Sequence, residues 1–133
     1  MSERYSKLFS LPENLYTEGS PVIIAAGALL KDNQTGRVIA QVKLRNISFK
    51  TIKAATVSLL PLNTVGKPLG EAIRYEYLDL NSERDTDFGS KSAIPMPDIT
   101  TRSFCAAVAE VIFTDNSVWN ADDAVWEVLK SPE

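Results

Sequence analysis

Histidine is absent from this sequence of 133 residues, and cysteine occurs once. The first absence removes the side chain that hydrolytic triads use for proton transfer and that most transition-metal sites use as a ligand. The second excludes an internal disulfide and a thiolate-only zinc site, which needs four cysteines. A glycine-rich phosphate loop and a nucleophile motif are missing too. Met1 to Lys7 lead into a stretch too short and too polar for a signal segment, and no apolar run approaches a membrane span. Lysine and arginine total 14 against 17 acidic residues, a net charge of −3. That sign gives no electrostatic hold on phosphate backbones, whose affinity comes from Lys and Arg displacing counterions. Neither a nucleic-acid partner nor membrane contact is therefore expected, and no cofactor or metal is implied. The lone thiol points to a reducing, cytoplasmic setting.

What the chain does have is a rhythm of short β-branched and aromatic runs, broken roughly every ten residues by Asn, Asp and Gly in turn-forming order. Asp32-Asn33-Gln34-Thr35-Gly36, Asn63-Thr64-Val65-Gly66 and Asp115-Asn116-Ser117 each lie between apolar segments able to pair as antiparallel strands. The length suits one domain, burying about two-thirds of the surface its unfolded form exposes.

Residues 1–19 read as an N-terminal arm, interrupted by Pro12 and ending in a short edge segment. Val22 to Leu30 is apolar enough for a buried helix, but its β-branched start, its internal Gly27 and the turn that follows favour a strand. Gly27 then marks a bulge or a close approach. Val38, Ala40, Val42 and Leu44 alternate with Ile39, Gln41, Lys43 and Arg45, one face for the core and one for water. Ala55, Val57 and Leu59 oppose Thr56 and Ser58, after which Pro61 signals an edge or a strand end. Ile73, Tyr75 and Tyr77 share a face, and Arg102 to Thr114 is apolar on both faces, as a central strand should be. Asn120 to Lys130 fits a short helix, or an extended segment, capped by Asn120 or Asp122 and carrying Val125, Trp126 and Leu129 on one stripe. The predicted fold is all-β: an antiparallel two-sheet β-sandwich of about seven strands spanning residues 20–120, with 121–133 a C-terminal segment or linker to a further domain. It is immunoglobulin-like in architecture only, because the cysteine pair around a core Trp is missing.

Chemistry is sparse. Asn81-x-Glu83-x-Asp85-x-Asp87-x-Gly89 places oxygen ligands at alternate positions, but it lacks the closing glutamate of a calcium loop and reads as a solvated turn. Glu110 sits inside the apolar run Ala106 to Phe113, where a buried carboxylate calls for a partner such as Arg74 or Arg102. Cys105, among small and apolar neighbours, reads as a small hydrophobe. The densest basic group, Lys43, Arg45, Lys50 and Lys53, alternates with apolar residues as the wet face of a sheet does. Asn33-Gln34-Thr35 and Asn46-Ile47-Ser48 match the glycosylation sequon, a pattern common by chance. The candidate interaction residues are aromatic. Trp119 and Trp126 near the C-terminus, and Tyr75 and Tyr77 among charges, are either interface anchors or core residues.

The segments Ser20 to Asp32, Leu44-Arg45-Asn46-Ile47-Ser48 with Thr51-Ile52-Lys53, and Thr101 to Phe104 leading to Thr114 through Trp119 resemble a group of uncharacterised proteins from gut-type Firmicutes. The middle of the chain is similar to the FxLYD-type sandwich, with its Asn-x-Ser turn between strands. The resemblance covers roughly residues 15–120 and implies an immunoglobulin-like domain near the N-terminus of a longer protein, followed by zinc-ribbon-like elements absent from this sequence. It implies no catalytic residues. The sequence as a whole points to a non-catalytic module for protein–protein interaction or assembly, with a protein partner or self-association. The alternative is a module binding calcium, carbohydrate or another small ligand through Asn81 to Gly89.

Overall fold

A computed structural model describes residues 4–16 and 18–121. Trp126 and most of the expected C-terminal helix lie outside the described residues. Nine strands form among those described: β1 Tyr5–Ser10, β2 Val22–Asp32, β3 Val38–Asn46, β4 Ile52–Leu62, β5 Ile73–Tyr77, β6 Asp87–Phe88, β7 Ile94–Pro95, β8 Ser103–Phe113 and β9 Val118–Asn120. No helix among the described residues is long and apolar enough to cross a membrane.

The strands make two antiparallel sheets. The first has the order β1-β2-β3-β6, with β7 also pairing β3, and the second has the order β5-β4-β8-β9. The chain changes sheet three times, between β3 and β4, β5 and β6, and β7 and β8. Hairpins form where the turn residues predict them. Gly36 and Gly66 hold φ of 79° and 80°, a left-handed backbone that costs glycine little, and Asn116 does the same at 69°.

Alternation decides the faces. Val38, Ala40, Val42 and Leu44 of β3 and Ala55, Val57 and Leu59 of β4 are buried against each other's sheets, joined by Leu29, Phe104, Val108 and Val111. The Phe9 and Phe104 rings meet edge to face, centroids 5.5 Å apart, and tie β1 to β8 across the sandwich. The break in β2 falls between Ile24 and Ala26, while Gly27 is the close approach: a Cβ there would come within 2.5 Å of Leu11 Cδ1.

The structure exceeds the expected strand count in two places. Tyr5–Ser10, read as part of an arm, pairs with β2 as the edge strand of the first sheet. The stretch after β5, too polar and proline-rich for a strand signal, supplies β6 and β7, two residues each, which pair with successive parts of β3. Pro61 is near a strand end, as expected, but its strand is interior. It is buried, it stands opposite Phe104 of β8, and its carbonyl accepts the Leu69 amide at 2.9 Å. No open edge exists there.

Candidate functional site

Sheet register places each candidate aromatic residue. Tyr75 and Tyr77 stand opposite Val57 and Ala55, so both rings point inward from β5. Their centroids lie 5.0 Å apart, edge to face, and Tyr77 also meets Phe88. Tyr77 is buried with an unpartnered hydroxyl, and burial pushes its phenol well above the ordinary range. Trp119 stands opposite buried Val111 and packs against the core from β9. The tyrosines and Trp119 thus occupy opposite edges of one sheet and are not brought together. Glu110 is only partly buried, opposite Thr56 and Asn120, and among the described residues it forms no ion pair with Arg74 or Arg102. The buried pair expected there does not form, because Glu110 lies on the sheet face turned away from the core.

The four basic residues each have a polar partner. Arg45 Nε reaches Asp87 Oδ1 at 2.7 Å with Lys43 3.8 Å away, Lys50 Nζ reaches Asp115 at 3.1 Å, and Lys53 Nζ donates to Asn116 Oδ1. Arg45 beside Asp87 lowers the carboxyl's pKa. Asp115 falls to about 2, chiefly through the hydroxyl and amide that Ser117 donates. Asp87 is thus held ionised by its cation, and Asp115 mainly by the Ser117 donors with Lys50 beside it.

One end of the sandwich gathers three loops: 47–51 after β3, 78–86 after β5 and 114–117 after β8. Asn46, fully buried, is the clamp. Its Nδ2 donates to the Lys50 carbonyl at 2.9 Å and to the Ser82 carbonyl at 2.8 Å, while its Oδ1 accepts from the Ser48 amide and hydroxyl. Both hydrogens of the Asn46 amide are engaged, which answers the sequon at this position: the nitrogen is a structural donor. The Thr114 amide bonds to the Thr51 carbonyl at 2.9 Å, joining the third loop to the first. Asp79, Asp85 and Asn116 at this end hold left-handed backbone, whereas Gly36, Gly66 and Gly70 fill such positions at the other.

At the apex of these loops stands Phe49, 86% exposed, with the Arg84 guanidinium 4.0 Å from its ring centroid. Sequence reasoning passed over both residues. A Phe between Ser48 and Lys50 in a turn gives no periodic signal, and Arg84 lies 35 positions away. Beside this surface, Leu80, Asn81, Ser82, Glu83, Thr86, Asp87 and Phe88 line a cleft of about 370 Å³. The calcium-like acids do not converge there: among the described residues no three acidic, Cys or His side chains come together as a metal site.

No family model and no curated protein matches the chain. Among solved structures, a hypothetical protein from Peptoclostridium difficile 630 is similar in fold, with a TM-score of 0.66 at 13% identity, covering 88% of this chain and 95% of that one.

Proposed function

We propose that this domain is a non-catalytic β-sandwich module for protein interaction or assembly, acting in the cytoplasm, and that it binds through the end carrying Phe49. The observation that carries this reading is the exposed Phe49 ring held beneath Arg84. An aromatic ring and a guanidinium are the groups that dominate interface energetics, and loops fixed by Asn46 present them with little ordering cost on binding. The histidine-free composition and the pairing of acids with cations support a binding role over catalysis. An immunoglobulin-like relationship, and with it kinship to the FxLYD-like sandwiches of Firmicutes, belongs to the same proposal. It is supported by three sheet changes and by β8 lying between β4 and the last strand.

Sedimentation equilibrium of the purified chain, with affinity capture from a lysate of the source organism, tests the reading. The expected result is self-association, or one captured protein, lost on Phe49→Asp. A chain that stays monomeric at high concentration and captures nothing would overturn it. The cleft lined by Asn81 and Phe88 favours a second reading, a calcium- or carbohydrate-binding module. Calcium that leaves the melting temperature unchanged removes its metal half.

A further inference from the structure

Of the edge strands among the described residues, β5 alone is left unblunted. β1 breaks its register with β2 between Lys7 and Phe9, β9 is three residues long, and β6 and β7 have two residues each, the latter ending in Pro95. Bulges, short length, lysine and proline are the devices that keep an edge from pairing with another chain. Ile73–Tyr77 has none of them. It runs in unbroken register with β4, and the far side of its backbone has no main-chain partner among the described residues. Charges of one sign would still guard such an edge, but β5 carries one of each. Arg74 and Glu76 are both exposed, two positions apart on the face turned from the core. Across β4 they meet only Ser58 and Thr56, and among the described residues neither forms an ion pair or a side-chain hydrogen bond.

That arrangement is complementary to itself. When a second β5 is turned about a two-fold axis at Tyr75 and paired antiparallel with the first, Arg74 falls opposite Glu76 of the second copy and Glu76 opposite its Arg74. On the other face Tyr75 meets its own counterpart and Ile73 meets Tyr77 of the second copy. A shift of two positions either way sets Arg74 against Arg74 or Glu76 against Glu76, and like charges directly opposite are destabilising, so the charges select one register. Leu78, 61% exposed immediately after the strand, then comes beside Ala72 of the second copy and gives the contact an apolar margin. We propose that β5 is a self-association edge, through which two copies of this chain join their second sheets into one continuous antiparallel sheet. A five-residue ladder is a small contact, so the association depends on concentration. This edge is separate from the Phe49 end and does not depend on its reading.

Sedimentation equilibrium on the full-length chain, on Arg74→Glu, on Glu76→Arg, on an equimolar mixture of those two variants and on Phe49→Asp tests the pairing. Each single reversal sets two like-charged pairs across the axis, so both variants are expected to dimerise roughly tenfold more weakly or worse, with unchanged β-sheet circular dichroism. In the mixture every reversed side chain meets an opposite charge again, and a heterodimer as tight as the unaltered pair is expected. Phe49→Asp leaves the dimer intact. A chain that is monomeric at millimolar concentration would overturn the proposal, whatever other protein it captures. So would a dimer that both reversals leave unchanged, a mixture no tighter than the single variants, or a dimer lost on Phe49→Asp, which assigns self-association to the loop end instead.

Discussion

The Asp32 carboxylate accepts from Arg4 at 3.0 Å and from the Gln34 amide at 2.9 Å, while its main-chain carbonyl accepts from Gly36 at 2.7 Å. The Arg4 hydrogen bond is the main reason its carboxyl titrates at about 2. The folded value lies below the unfolded one, so the stability this group contributes is present above about pH 4 and is lost as pH falls towards 2. Arg4→Met returns the Asp32 titration towards the ordinary carboxylate range, measured by carboxyl ¹³C NMR, and flattens the acid limb of the stability curve. At Tyr77 the expected change is the reverse of a loss. Tyr77→Phe removes a buried hydroxyl with no partner, so denaturant unfolding gives equal stability or a gain of up to about 1 kcal/mol. Residues whose conformation is set locally were legible in the sequence, Gly36, Gly66 and Asn116 among them. The exposure of Phe49 and the place of Glu110 on the outer face of its sheet were not, because each depends on which distant strand or loop lies alongside.

Among the elements, the β3–β4 connection carries the sharpest consequence. Asn46→Ala leaves the Ser82 carbonyl without its partner in a buried position, and the Lys50 carbonyl and Ser48 amide without theirs in part-buried ones. A loss of about 3 kcal/mol is expected, seen as a lower denaturant midpoint with unchanged m-value. Asn46→Asp costs more, since it also sets a carboxylate against two carbonyl oxygens. Gly89→Ala is destabilising by about 2 kcal/mol or more in the same measurement: φ is +90°, and a Cβ would stand 2.9 Å from both Tyr77 Cε1 and the Val42 carbonyl. The long strands β2, β3, β4 and β8 were legible because a two-residue period persists through each. β6 and β7 were not, since two residues carry no period. β1 escaped notice because an edge strand with one side wet, Tyr5 to Ser10, buries only part of Leu8 and Phe9.

At the scale of the whole molecule, composition and turn spacing led to two antiparallel sheets, and the paired strands form them. What no local pattern conveys is which strands become neighbours. β4 ends at Leu62, and its main partner β8 begins at Ser103. Pairings so far apart in sequence slow the search for the native state, so refolding followed by Trp fluorescence in stopped flow is expected to fall in the millisecond-to-second range rather than in microseconds. During synthesis the separation acts as a clock. Translation at roughly 5–20 residues per second leaves β4 waiting about 2–8 s for β8 to be made, longer than β8 then needs to find it. Over that interval a strand that ends up wholly interior presents its Val57 and Leu59 side to the cell. Its vulnerability on the ribosome is thus set by the order in which the gene delivers the strands.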